Sequence, residues 1–323
     1  MVDLNIELPE NFLDEEVRCG YTVTRQMKEL WAIELDLLNE LIRVCDKNNL
    51  QIFASDGTLL GAVRHHGFIP WDDDVDVFML RNDYERLKKY AYKDFDENKY
   101  FFQNTYTDNL VRPHAQLRRK NTTMLIKSDY GKKHNRGIFI DIFILDSIPD
   151  NINDRKRFLR KLNKMWKNLQ QPTFKTESKY SKFIVFCYNA SIIAPQLCAF
   201  QIKNILFGGI QKRFERFELE VQKYNNQNCK NVCDVSMLSA LNRNFREFPI
   251  EFYQKPVYLA FEMLEIQAPY DYDKILHLQY GNYNEFRIGT SLHGHIFVDT
   301  SNDYTLYDGL TYEKFSALFK VKI

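Results

Sequence analysis

Four carboxylates, Asp72, Asp73, Asp74 and Asp76, crowd into five positions of this 323-residue chain. Like charges this close repel one another unless cations neutralise them, and hard divalent cations with oxygen ligands are the natural partners. From Val75 onward charged and apolar positions alternate as they do along a strand. That places Asp74 and Asp76 on one face, with Val75 anchored in the core. A third carboxylate, Asp141, stands alone in the apolar run from Ile138 to Ile144. A buried strand has no use for a lone charge, which makes Asp141 a candidate third ligand. Two metal ions held by Asp74, Asp76 and Asp141 would stabilise the attacking and leaving oxygens of an in-line displacement at phosphorus. The plainer alternative is an acidic turn capping a helix, with Asp141 paired to a buried arginine.

The elements that must position these residues can be read on either side of them. Between Thr24 and Asn48, Met27, Leu30, Trp31, Leu35, Leu38, Leu41, Ile42 and Cys45 recur at helical steps and predict one long amphipathic helix. Gln51 to Ala54 reads as a short strand, Ser55-Asp56-Gly57 as a turn, and Thr58 to Arg64 as the start of a helix. Asn82 to Tyr92 is helical, Gln116 to Arg118 and Thr123 to Ile126 are strands, and Gly137 to Leu145 is a strongly apolar strand. Beyond Pro149 the character changes. Asp154 to Lys167 is a basic amphipathic helix with Phe158, Leu159, Leu162, Met165 and Trp166 on one face. The apolar stretch Phe183 to Ile210 is interrupted by Asn189, Pro195, Gln196 and Gly208-Gly209. It reads as packed or interfacial helices rather than a membrane span. Gln211 to Asn225 continues as helix, and the remainder from about Phe248 is mixed. The expectation is an α/β (α+β) protein with a mixed sheet and an inserted helical region.

Composition narrows the function classes. With 45% hydrophobic and 15% aromatic residues, a disordered or collagen-like chain is excluded. Lys+Arg 44 against Asp+Glu 43 leaves no global field for nucleic acid. Twelve glycines and nine prolines are few, which argues against a Gly-rich phosphate cradle. Six scattered cysteines make no disulfide framework, and Cys229 with Cys233 has no second ligand pair at zinc-finger spacing. The acidic start shows no secretory signal, so a cytoplasmic location is expected.

The order strand, Asp56-Gly57-Thr58, carboxylate-x-carboxylate strand, third-carboxylate strand is the layout of the polymerase-β-like nucleotidyltransferase fold. The unbroken run from Asp56 to Val77 closely resembles the signature of the LicD family of phosphotransferases, whose eukaryotic relatives are fukutin and fukutin-related protein. Further matches are Leu117-Arg118 with Asn121-Thr122, then Gly137 to Phe143 followed by Leu145-Asp146. Late in the chain come Pro269-Tyr270-Asp271-Tyr272 and Tyr280-Gly281-Asn282-Tyr283. The resemblance covers residues 24–150 and 255–295. It implies a nucleotidyltransferase-like catalytic core over 1–150, completed by a segment 248–323. The helical insertion over 151–247 is not distinctive of the family, and its basic helix is what suggests that it faces membrane or acceptor.

The resemblance further implies transfer of phosphocholine from CDP-choline to a sugar hydroxyl of teichoic acid, lipopolysaccharide or capsule, with release of CMP. Mg2+, as two ions and replaceable by Mn2+, is the implied cofactor. Asp74, Asp76 and Asp141 would hold the metal, with Asp141 also a candidate base, and Asp72 and Asp73 would support them in an acidic loop. Asp56, Gly57 and Thr58 would meet the donor phosphates, with Arg64 and Arg118 as candidate clamps. A choline head group calls for aromatic faces, and Trp71 with Tyr283 is the candidate cage. His65 and His66 lie inside the signature, and His293 and His295 have no assigned role. The partners expected are a CDP-alcohol donor, a glycan or lipid-linked oligosaccharide acceptor and, through the basic helix, the cytoplasmic face of the membrane, with no nucleic acid. CDP-ribitol or CDP-glycerol as donor, true nucleotidyl transfer from CTP or ATP, and a non-catalytic nucleotide- or glycan-binding module stand as alternatives.

Overall fold

The computed structural model describes residues 1–108, 110–172, 186–237, 247–288 and 296–320. A short hairpin, β1 (Glu16–Arg18) and β2 (Tyr21–Val23), leads into helix α1 (Arg25–Lys47). Thr24 caps α1 by accepting a hydrogen bond from the Met27 amide, as a hydroxyl at that position should. The apolar spacing suits one buried stripe, yet α1 is enclosed almost all round: Trp31, Leu35, Leu38 and Leu41 are fully buried, and so are Glu34 and Asp36.

Strand β3 (Phe53–Ala54) runs into helix α2 (Asp56–His65), and strand β4 (Asp76–Leu80) into helix α3 (Arg81–Asp94). Strands β5 (Tyr100–Gln103), β6 (Ala115–Arg119) and β7 (Thr123–Ile126) precede the longest strand, β8 (Phe139–Ile148). The ten residues of β8 let two strands share one of its edges. On that edge β6 meets its first half, and β9 (Asn231–Asp234) meets its second. On the other edge β4 runs parallel to β8 and continues to β3. With β10 (Glu247–Pro249) on β9 and β5 on β6, this is a mixed seven-stranded sheet in a mixed α/β fold. One cross-strand row is Gln103, Gln116, Asp141 and Asp76, on β5, β6, β8 and β4 in turn.

Helices α4 (Ile152–Leu169), α5 (Phe186–Phe207) and α6 (Gly209–Val221) follow. Phe158, Leu162, Phe214 and Phe217 from α4 and α6 form a second apolar cluster with Ile148 and Cys233 of the sheet. Contrary to the expectation from Asn189, Pro195 and Gln196, α5 is continuous. A single π-helical turn, Asn189–Ile193, sits just before Pro195 and relieves the missing N–H and the ring clash. It is also long and apolar enough to cross a membrane, with 11% of its most apolar stretch buried.

The C-terminal hairpin, β11 (Val257–Phe261) and β12 (Leu264–Ala268), packs back on the main core. There Phe68 is sandwiched between Trp31 and Phe261 at ring separations of 4.6 and 4.9 Å. Helix α7 (Tyr272–Tyr280), strand β13 (Ile296–Asp299) on β7, and helix α8 (Tyr312–Ala317) complete the chain. All six cysteines are free thiols. His293 and His295 lie outside the described residues.

Candidate active site

The parallel pairing of β4 with β8 sets Asp76 directly beside Asp141. Burial pushes the Asp76 carboxyl well up, and Asp74, Asp56, Asp141 and Asp72 add to that in turn, so five carboxyl groups converge on one end of the sheet. Burial would also raise Asp141, but His114, Arg112 and Gln116 hold it down, to about 2. His114 Nε2 lies 3.2 Å from Asp141 Oδ1 and an Arg112 nitrogen 3.9 Å from it, while Gln116 Nε2 donates to Oδ1 at 2.7 Å. Asp141 is thus held down by the groups around it, Arg112 among them, while Asp76 is crowded by other acids.

The acidic loop differs from expectation in one respect. Strand β4 begins at Asp76, so Asp74 belongs to the loop that enters it, where carboxylate oxygens of Asp72, Asp73 and Asp74 lie within 4.8 Å of one another. From below, Trp31 Nε1 donates to the Asp72 carbonyl at 3.0 Å. One turn further along α1 stands Glu34, fully buried, with neither carboxylate oxygen meeting a hydrogen-bond partner among the described residues. Burial and then Asp74, Asp73 and Asp72 push its carboxyl well above the usual range. An all-oxygen, all-acidic donor set with an orphaned carboxylate behind it fits a hard divalent cation. The sequence reading missed Glu34, because helical periodicity ranks a lone Glu in α1 as surface. It also missed His114 and Arg112, which carry no motif.

Helix α2 begins at the same place. Asp56 takes φ 46°, Gly57 follows, and a Cβ on Gly57 would overlap the Asp72 carboxylate, so any side chain there would displace that carboxylate from the turn. Thr58 spends its hydroxyl within the fold, accepting from the Asp76 amide at 2.8 Å. The first-turn amides of α2 have no intrahelical acceptor, as at any helix start, and present a site for an anion. Gln279 of α7 donates to Asp56 at 3.1 Å and ties the C-terminal segment to this turn.

The two candidate clamps fare differently. Arg64 is half-buried, donating to His65 Nε2 at 2.9 Å and to the Tyr283 carbonyl at 2.8 Å. Arg118 is buried and its guanidinium is taken up by Gln103, Gln116 and the Gly137 carbonyl. It stiffens the cross-strand row from inside and does not reach out to a phosphate. The candidate cage is also rearranged. Tyr283 is buried with its hydroxyl on Asp273 at 2.6 Å, and it packs on His277. Trp71 instead shares a cluster with Tyr21, His65 and Phe286. Burial and the adjacent Arg64 push His65 down to about 4, so this ring is a neutral face.

Residues 49–173 match the family described as LicD/FKTN/FKRP, nucleotidyltransferase domain. The chain is 24% identical over 258 residues to the lipopolysaccharide cholinephosphotransferase LicD of Haemophilus influenzae, covering 80% of this chain and 91% of that one. It is 30% identical over 115 residues to an uncharacterized protein of Rickettsia prowazekii, covering 36% of this chain and 40% of that one. A Rickettsia typhi protein is 45% identical over 59 residues, 18% of this chain and 19% of its own.

Proposed function

We propose that this chain, a LicD-family protein by its nucleotidyltransferase domain, transfers phosphocholine from CDP-choline to a hydroxyl of a cell-surface glycan such as lipopolysaccharide. The observation that carries this reading is the pairing of Asp76 with Asp141 among Asp56, Asp72 and Asp74, at the start of a glycine-bearing helix. The sheet is read as a polymerase-β-like core. Teichoic acid or capsule as acceptor, and CDP-ribitol or CDP-glycerol as donor, fit the same geometry.

In the reaction the acceptor hydroxyl oxygen bonds to the phosphocholine phosphorus, the bond from that phosphorus to the CMP oxygen breaks with its electron pair on the departing CMP, and the hydroxyl proton passes to solvent water. The α2 amides orient the donor phosphates. Asp74, Asp76 and Asp141, backed by Asp72, Asp73 and Glu34, would hold Mg2+ or Mn2+, which when bound neutralises charge on the transferring phosphoryl group. An Asp141 held at about 2 is an ion at any working pH and a poor proton acceptor, which favours ligand over base for it. Of the Trp71, His65 and Phe286 cluster, the Trp71 face would take the quaternary ammonium, since Phe286 stacks on His65 and lies under Arg64 at 4.8 Å.

The reading extends to location: the chain works at the cytoplasmic face of a membrane. On α5, Phe186, Ile192, Ile202, Ile205, Leu206 and Phe207 are exposed, a concentration of apolar side chains that marks an interaction surface. Helices α4, α5 and α6 carry eleven Lys or Arg against four Asp or Glu, in a chain of net charge +1. An anionic bilayer would take both the apolar side and the cations.

Isothermal titration of CDP-choline, CDP-ribitol, CDP-glycerol and CTP, with and without Mg2+, tests the function. Metal-dependent binding of a CDP-alcohol, abolished in Asp74→Asn/Asp76→Asn protein, is expected. Binding of CTP alone would replace this reading with nucleotidyl transfer, and binding of none would remove it.

A further inference from the structure

The cross-strand row does not end at the carboxylates. At its β5 end, Gln103 Nε2 donates to Asp108 at 2.6 Å and to the Asn135 carbonyl at 3.2 Å. Asp108 also accepts from the Asn135 amide at 2.7 Å. Gln103 Oε1 accepts from Arg118 at 2.5 Å, Arg118 donates on to Gln116, and Gln116 donates to Asp141. Gln103 stands two strands from Asp141, about 10 Å at the usual strand spacing.

Asp108 and Asn135 are also walls of a cavity of about 870 Å3 between this end of the sheet and the C-terminal strap. That is within the usual range for a small-molecule site and large enough for a disaccharide. Lys120, Lys132, Lys133 and Arg136 line it, against the acids Asp108 and Asp308. Arg136 is tied to Asp308 and lies over the Tyr304 ring at 5.1 Å, whereas Lys132 and Lys133 make no ion pair among the described residues. Tyr130, Tyr304 and Tyr307 line it as well, and each is fixed. Tyr130 packs edge-on to Tyr312, Tyr304 has one face under Arg136, and Tyr307 donates to Asp299 at 2.5 Å. Rigid aromatic faces suit the apolar faces of a sugar ring, and unpaired lysines suit an anion.

We propose that this cavity is the acceptor subsite and takes a saccharide bearing a phosphate or carboxylate group. Arg118 is then a positioning residue, which holds Gln103 and Gln116 and so sets the cavity wall in register with Asp141. The proposal rests on the transfer reading of the carboxylate centre, and its test is kept separate from that reading.

The probe is trehalose 6-phosphate, titrated into Asp74→Asn/Asp76→Asn protein, whose donor site is removed. Binding near millimolar Kd is expected, with trehalose and inorganic phosphate each at least about ten-fold weaker. Adding Lys132→Glu and Lys133→Glu should weaken the disaccharide phosphate by about ten-fold or more. The same lysine changes in otherwise unaltered protein should leave CDP-choline binding within two-fold and, in turnover, raise the acceptor KM with kcat kept. Binding of inorganic phosphate as tight as that of trehalose 6-phosphate, or affinity indifferent to the lysine reversal, overturns the proposal. Loss of CDP-choline binding in unaltered protein would instead strike the donor reading alone.

Discussion

Glu34 is a carboxylate that the fold keeps at a cost. Among the described residues nothing donates to it, and Asp74, Asp73 and Asp72 face it from the loop. Its raised pKa means that stability is lost as pH rises from the ordinary carboxylate range through its folded value, and Asp76 acts in the same direction. Asp141, held at about 2, works oppositely and gives up stability as pH falls below about 4. In EDTA, Glu34 and Asp76 should therefore add stability as pH drops from 8 to 5, against a loss from the depressed His65 that begins near 6.5. The gain is read as the difference from Glu34→Gln protein, and both proteins lose stability below about 4. Glu34→Gln should raise the EDTA melting temperature, by about 2 kcal/mol of stability, and reduce the further rise that Mg2+ or Mn2+ produces. Melting curves at both pH values check this, and an unchanged response to metal would show that Glu34 lies outside the cation's reach. The aromatic groups separate as cleanly. Trp71→Ala should raise the KM for CDP-choline by about ten-fold, as loss of a desolvated cation–π face does. Tyr283→Phe, which removes only the bond to Asp273, should leave that KM alone and cost about 1 kcal/mol of stability.

At the scale of elements, β8 does most of the positioning, since it carries Asp141 at one end and Asp146 five residues on. Asp146 is fully buried and takes both Arg81 nitrogens at 2.8 and 2.7 Å, with Asn225 donating at 2.7 Å. This joins α3, β8 and the segment after α6 at one point. Asp146→Ala should cost about 3 kcal/mol, read as a lower urea midpoint, because it removes the bidentate partner of a buried Arg81 and leaves that cation to Glu85 and Glu218 alone, each at 3.1 Å. The pair Arg81→Met with Asp146→Leu should not recover that loss, because Glu218 and Glu85 then lose the same cation and Asn225 its acceptor. The helix from Thr24, the strand from Gly137 and the acidic strand were legible because period and composition agree there. The interruption expected in α5 was not found, because a π-turn absorbs Pro195 through backbone geometry that no residue spacing encodes. Arg118 is the counterpart in the site: its motif position was visible, but its burial follows from the pairing of β5 and β6, which is long-range. The same holds for Tyr283, whose hydroxyl is claimed by Asp273 on α7.

For the whole molecule, the cationic helical region and the acidic end of the sheet divide the charge of a nearly neutral chain. Flotation with vesicles containing about 30% anionic lipid should carry the protein, and Ile205→Asp with Leu206→Asp should release it while titration of CDP-choline is unchanged. A dimer lost in that variant, with no vesicle binding by the unaltered protein, would show that a second copy covers α5. The three tryptophans fall along the same division. Trp166 packs on Phe217 in the helical cluster, Trp31 is bonded to the acidic loop from beneath, and Trp71 flanks it. Because an indole that donates to the Asp72 carbonyl changes its emission when that loop tightens, the protein carries its own optical gauge. Metal titration should perturb Trp31 and Trp71, a Trp31→Phe/Trp71→Phe variant should be nearly dark to the ion, and lipid should shift Trp166, so two binding events could be followed in one cuvette without a label.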